Sequence, residues 1–332
     1  MVELKGNELI FRFPDVHEDA VCKIEFMRTL RIPDDNKEYP LPAGLGVFPM
    51  AHVEDHADKL PANWAEKGGV LLPMYQAEAL WIRFESNFNY PFAVKIAAGK
   101  INAVTGKAWC EKLVGRPQDY VVLPEQPWLD GFCIKKGLIR QFVAMPLGKG
   151  YTAEEQLSQS TEHGGLQILV YPMKREKYLE KQAEEHEVVL YCQDIRFCRT
   201  DTEDSMGLAA GGLMRQSICK DDEGIDSWDM SESKRCFVHI LNSAQWSTAT
   251  GLPRLQKQPT ITDYEKQGLP WFEHYGEAYE ALDGSPLLAG LDSVAAKAVK
   301  QGHEPLDDNE SIKPKNIISL GVGVKSVSDG VW

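Results

Sequence analysis

The residues best placed to do chemistry in this chain are two arginines and the glutamine that follows each. Gly137-Leu138-Ile139-Arg140-Gln141 is echoed by Gly212-Leu213-Met214-Arg215-Gln216. Side chains alternate between the two faces of a strand. Leu138, Arg140 and Phe142 therefore share one face of the first run, and Leu213, Arg215 and Ser217 share one face of the second. If the runs are neighbours in register, Arg140 and Arg215 project together. Two adjacent guanidiniums bind a carboxylate or phosphate through their planar forks. Gln141, Gln216 and the loop residue His163 complete the candidate anion-binding set. The competing reading is that each arginine pairs with an Asp or Glu and pins a sheet, because charged side chains are seldom buried unpaired.

Other spacings point to familiar sites and then miss them. Leu147-Gly148-Lys149-Gly150-Tyr151-Thr152 precedes a helix start, where backbone amides can hold an anion, but it lacks the Walker spacing. Gly99 lies too far before Gly106-Lys107, and Ala108 stands where that pattern needs a hydroxyl. Both stretches read as turns, which glycine supplies generally. His52 and His56 are four apart, as in a helical metal pair. Val53 replaces the zincin glutamate and no third ligand is indicated, so no metal is expected. Asp221-Asp222-Glu223-Gly224-Ile225-Asp226 has its glycine at position four, where a calcium loop needs it at six. Cys236 and His239 fall on opposite faces of a strand, which disfavours a thiol–imidazole dyad. No Gly-x-Ser-x-Gly elbow occurs. Glu162-His163 is a candidate acid/base pair in a loop. Trp128 near Asp130, and Trp228 beside Asp229, suit either sugar stacking or core packing. No cofactor motif is present, and none is expected to be bound.

The elements that must position these residues are mostly strands. Alternation predicts strands over 8–13 and 21–27, then a proline-rich extended crossover through residue 50. Residues 51–67 are weakly helical, and Ala77, Leu80, Trp81 and Phe84 predict a helix over 76–84. Strands follow at 92–98 and 101–104 about a Gly99-Lys100 turn, and at 120–123. Residues 132–134 and 139–145 read as a hairpin. Thr152-Ala153-Glu154-Glu155 is a capping box that starts a helix at 153. Further strands are expected at 166–171, 188–191, 213–218 and 235–241, with a charged helix at 173–186. Beyond Gly251, Trp271, Phe272, Tyr275, Tyr279 and Leu282 predict an amphipathic helix. Another helix is expected over 287–301 and a strand over 316–327.

The chain of 332 residues is 43% hydrophobic and carries 36 basic against 49 acidic side chains, a net charge of −13. That charge repels a phosphate backbone and an anionic bilayer at long range, so neither nucleic acid nor membrane is expected as a partner. Residues 184–232 are the acidic part, with thirteen Asp/Glu against four Lys/Arg. Seven cysteines at irregular spacing, with no Cys-x-x-Cys, read as free thiols in a reducing compartment. The charged N-terminus argues against a signal peptide, and no 18-residue apolar window occurs. A soluble cytoplasmic protein is the expectation. The fold class expected is α+β: a mainly antiparallel sheet, short helices and long Pro/Gly-rich loops. Residues 1–250 would form the core and 251–332 would wrap onto it. The function expected is a non-enzymatic module that binds a small polar or anionic ligand or self-assembles, with a hydrolase lacking a recognisable motif as the alternative.

Overall fold

Runs of β-branched and aromatic residues build the strands of the first third of the chain. The computed structural model describes residues 1–184, 205–274, 280–306 and 308–320. Strands β1 (Val2–Lys5), β2 (Glu8–Arg12) and β3 (Val21–Thr29) form an antiparallel meander, with Leu9 opposite Ile24 and Phe11 opposite Cys22. In the proline-rich crossover only short strands form: β4 (Glu38–Tyr39), β5 (Leu41–Pro42), β6 (Gly44–Val47) and β7 (Ala51–His52). Proline has no N–H to give a ladder, which keeps such pieces short.

Helix α1 (Ala62–Lys67) leads into β8 (Val70–Met74) and β9 (Ala79–Ser86). The helix expected over 76–84 is thus overturned. Leu80, Ile82 and Phe84 are buried while Trp81 and Arg83 are half-exposed, a period of two. The whole of β9 pairs with β3, from Cys22 opposite Ser86 to Thr29 opposite Ala79. That continuous ladder outweighs an apolar spacing that fits either period.

The middle of the chain follows its sequence signals. Strands β10 (Phe92–Ala98) and β11 (Ile101–Asn102) flank the Gly99-Lys100 turn, where Gly99 has a positive φ of 57°. After β12 (Val121–Leu123) and β13 (Trp128–Leu129), β14 (Gly131–Lys135) and β15 (Leu138–Pro146) make the expected hairpin. Helix α2 (Ala153–Ser158) begins at the Thr152 capping box, with Glu155 returning the bond. Next come β16 (Leu166–Pro172) and α3 (Arg175–Glu184), then β17 (Met206–Arg215), β18 (Lys234–Asn242) and α4 (Ser243–Thr250). The strand expected at 188–191 lies outside the described residues.

Past residue 250 the order is α5 (Ile261–Lys266), β19 (Trp271–His274), α6 (Pro286–Ala289), α7 (Val294–Lys300) and β20 (Ile317–Leu320). The helix expected from 271 starts instead as a strand. β19 lies between β5 and β20, with Trp271 paired to both Pro42 and Ile317. The Trp271 ring packs on Tyr264 nearby and on Tyr39 from the crossover, and with β5 and β20 these distant partners decide its conformation. The 287–301 helix is divided, α6 closing at Gly290 and α7 restarting with a Ser293 cap.

The main sheet has two runs. One proceeds β1–β2–β3–β9–β15–β17, and the other β12–β10–β16–β18–β8–β7. A single pair, Met206 opposite Ile240, joins them. Their inner faces share one buried cluster, in which Phe13 lies 5.8 Å from Phe92. Pairing is mainly antiparallel, the exceptions being β4–β17, β8–β18 and β19–β20. The fold is α+β. Segments beyond residue 250 return to the sheet repeatedly: Tyr264 Oη accepts from the Ala43 amide, and Ser285 Oγ donates to the Thr105 carbonyl.

Candidate functional site

The two echoed phrases lie side by side. β15 and β17 run antiparallel with Leu138 opposite Arg215, Ile139 opposite Met214 and Arg140 opposite Leu213. A local two-fold through the Ile139–Met214 pair exchanges one phrase for the other. Both arginines occupy one face, as alternation requires, but the antiparallel crossing sets each against a leucine. Arg140 Nη1 donates to the Gly211 carbonyl at 3.0 Å and lies 3.5 Å from Asp34 Oδ1. The other Asp34 oxygen accepts from the Ala295 amide at the start of α7. Arg215 is more open and sits 3.4 Å from Glu38 and 3.0 Å from Glu273.

The glutamines complete a seam rather than a binding site. Buried Gln141 accepts from the Ile32 amide at 3.1 Å and donates to the Leu30 carbonyl at 2.9 Å. Gln216 accepts from the Asp130 amide at 2.9 Å and donates to Asp130 Oδ2 at 2.8 Å. Burial pushes the Asp130 carboxyl up to about 7. The expected anion site at Arg140, Arg215, Gln141 and Gln216 is therefore corrected. Each cation already has carboxylate partners, and each amide ties down a neighbouring backbone. His163 is not part of this seam.

A cleft of about 390 Å³ opens elsewhere, on the outer face of the second run, and His163 lines it. Register explains its floor. Lys95, Leu169 and Arg235 form one row across β10, β16 and β18, and Ala97, Gln167 and Phe237 form the next. Arg235, Phe237 and His239 project outward, while Cys236, Val238 and Ile240 enter the core. Residues 109–112 cross this face as one wall. Lys95, fully buried, holds the wall by donating to the Lys112 carbonyl at 2.6 Å, and its charge is met by Asp119 Oδ2 at 2.6 Å. Tyr171 donates to the Glu111 carbonyl, and the Glu111 carboxylate pairs with Arg235.

Two further loops bring polar groups to the opposite side. Lys67, at the end of α1, donates to His163 Nδ1 at 3.3 Å. The imidazole proton therefore resides on Nε2, which lies 3.5 Å from Glu162. Burial, with Lys100 and Lys67 nearby, holds the His163 imidazole below its usual range. One buried carboxylate positions both loops: Glu154 accepts from the amides of Lys100 at 3.2 Å and Gly164 at 3.0 Å. Gly165 must be glycine here, since its φ is positive and a Cβ would stand 2.3 Å from the Val238 carbonyl oxygen. His239 stacks on Trp64 at 4.7 Å and its Nε2 bonds the Gly68 carbonyl at 3.0 Å. Burial pushes its imidazole down to about 4, so it is neutral at pH 7.

The cleft thus sets Lys67, Lys100 and Arg235 against one carboxylate, Glu111, with Trp109 and Phe237 as aromatic surfaces. No family model, no curated protein and no solved structure matches the chain. The arrangement can neutralise a small anion, offer neutral imidazoles as donors or acceptors, and cover a flat apolar part.

Of the five predicted site residues only His163 reaches the cleft. Lys67, Trp109 and Cys110 carried no sequence signal of function, because segments far apart in the chain bring them to the strand face. One signal existed: Arg235-Phe237-His239 alternates with Cys236-Val238-Ile240, marking a polar outer face on an otherwise apolar strand. The same alternation separates Cys236 from His239, as expected. His52 lies on β7 and His56 in a short helical turn at Glu54–Lys59, so no common helix face joins them. Asp221 is a hydrogen-bond hub, accepting from Tyr120 Oη, Trp228 Nε1 and the amides of Glu223 and Gly224. Trp228 is fully buried in the core. Among the described residues no three His, Cys, Asp or Glu cluster as metal ligands, and no helix is long and apolar enough to cross a membrane.

Proposed function

We propose that this protein binds a small anionic or polar ligand in the cleft between residues 109–112, α1 and the outer face of β16 and β18. The observation that carries this reading is the local inversion of charge. Three cationic side chains meet one carboxylate in a concave site, within a chain whose net charge is −13. A volume of about 390 Å³ is that of a small-molecule pocket. The acidic remainder of the surface repels a polyanion, which favours a small ligand over nucleic acid.

Calorimetric titration at low salt with inorganic phosphate, pyrophosphate and small dicarboxylates tests it. Saturable one-site binding of at least one, weakened by added salt and lost in Lys100→Glu, is expected. The absence of binding by every member at millimolar concentration removes the proposal. A second reading is hydrolytic. It is favoured by the Cys110 thiol and His163 imidazole lining the same cleft. Turnover of an activated ester that disappears in Cys110→Ala would support it, and identical turnover by that variant would dismiss it. Assembly with a second copy is the companion proposal, supported by the exposed Ile317 and Ile318 of β20. Light scattering that reports a monomer at high concentration excludes it.

A further inference from the structure

Cys110 differs from the other described cysteines. Cys22, Cys133 and Cys236 are buried and Cys219 is half-buried, but Cys110 is exposed at the cleft. Its sulfur lies 3.2 Å from Lys95 Nζ, which donates to it. That Nζ belongs to a fully buried side chain, with the Trp109 ring 5.4 Å away and Asp119 Oδ2 at 2.6 Å. A sulfur that solvent reaches therefore touches an amine that solvent does not, and the amine touches a carboxylate. The sheet places the amine, and the loop between β11 and β12 brings both the sulfur and the carboxylate to it. Lys95 projects from the centre of β10, and the same Nζ holds the 110–112 backbone through the Lys112 carbonyl.

We propose that Cys110 and Lys95 form a peroxide-responsive pair, in which a hydroperoxide converts Cys110 to a sulfenic acid and Lys95 then captures the sulfur as a covalent sulfur–nitrogen bridge. In the first step the sulfur attacks the peroxide. An S–O bond forms, the O–O bond breaks, and the thiol proton leaves with the departing alcohol or water. Sulfur gives up two electrons and the peroxide takes them. In the second step the Lys95 ammonium passes one proton to Asp119. The neutral amine attacks the sulfenic sulfur, the S–O bond breaks, and the hydroxide leaves as water with the second amine proton. Burial raises the Asp119 carboxyl, which suits it to keep the proton it receives. A buried ion pair becomes a neutral bridge, and residues 109–112 are locked to β10. Thiol reductant reverses the state by attack at sulfur.

This inference stands apart from the identity of any ligand. The intact chain is treated with stoichiometric hydrogen peroxide and digested without reductant. Peptides bearing Lys95 and Cys110 should be joined, two hydrogens lighter than their sum, and separated by dithiothreitol. Cys110→Ser should lose the joined species. Lys95→Arg, whose guanidinium is a poor nucleophile, should leave a sulfenic acid that a cyclic 1,3-dione traps. If Lys95→Arg fails to fold, peptide mapping of the unmodified sequence decides alone. The proposal is overturned if Cys110 stays reduced, stops at a sulfinic acid, or joins another cysteine in a disulfide. None of these readouts involves anion binding, so failure of the bridge and failure of the binding reading are separately visible.

Discussion

On β15 and β17, Arg140 and Arg215 meet Asp34, Glu38 and Glu273. On β18, Arg235 meets Glu111 in a cleft that also holds Lys67 and Lys100. Both regions present arginine from an antiparallel strand pair. They differ in what the surrounding chain supplies. The crossover and the C-terminal segments bring carboxylates to the first region, so its cations cross-link elements. The segments around the second bring Lys67, Lys100 and the His163 imidazole against the single carboxylate of Glu111. Whether a basic strand face is matched by carboxylates or left with an excess of cations thus depends on its tertiary neighbours.

The comparison breaks most readily at Arg140. Its removal leaves Asp34, of which only 4% of the side chain is exposed, without its cation. Arg140→Ala should lower stability by about 3–5 kcal/mol, the usual result of stranding one partner of a buried pair. Urea unfolding measures it. A loss below about 1 kcal/mol would mean the seam is not held by matched charge. Anion titration of the same variant should be unchanged, because the cleft lies on the other run of the sheet.

Acidity separates the regions with opposite signs. The folded Asp130 carboxyl titrates at about 7, above the unfolded value of 3.8, so the folded chain keeps a proton that the unfolded chain has released. Its contribution is complete below pH 3.8 and is lost as pH rises through 7, with a ceiling of about 4 kcal/mol. The folded His239 imidazole titrates at about 4, below the unfolded 6.5, so only the unfolded chain takes up a proton between those values. Its contribution is complete above pH 6.5 and is lost as pH falls through 4, with a ceiling of roughly 3 kcal/mol. The two slopes oppose each other across pH 4–6.5. Asp130→Asn should leave stability rising with pH, and His239→Phe should leave it falling. Melting temperatures of both variants from pH 4 to 8 check this. Parallel curves would show that neither group carries the dependence.

What sequence could reveal follows the same division. Local chemistry was legible: the Thr152 capping box, the β14–β15 hairpin, and the alternation that places Arg140 and Arg215 on one face. Segments whose conformation depends on distant partners were not. The 76–84 stretch fits both a helix and a strand until β3 lies beside it. The aromatic spacing from Trp271 gives way to pairing with β5 and β20. The cleft was least legible, since Lys67 and His163, in contact at 3.3 Å, are 96 residues apart. A motif search detects residues close in sequence, whereas the cleft joins short runs at 109–111, 163–167 and 235–239 that only the fold brings together.

The cleft should respond to charge while its fold does not. Lys100 is exposed on a turn, so Lys100→Glu should change stability by no more than about 0.5 kcal/mol. Anion affinity should fall at least about tenfold, near 1.4 kcal/mol, because a favourable charge at the mouth becomes a repulsive one. Paired calorimetry and urea unfolding separate the two effects. A large stability loss with unchanged binding would assign Lys100 to the seam type.

The smallest expected effect is the most discriminating, because it lies within the seam itself. Arg140 and Arg215 occupy equivalent places in paired phrases, yet their side chains are 13% and 56% exposed. Glu38 and Glu273, which meet Arg215, keep 48% and 23% exposure, so water screens both pairs and can replace the guanidinium. Arg215→Ala should therefore cost no more than about 0.5 kcal/mol, against several for Arg140→Ala. If the two substitutions cost the same, the strand pair itself sets the energy and burial of the carboxylate does not. If Arg215→Ala alone abolished anion binding, the ligand would have to be sought on β17, and the distinction between the two regions would reverse.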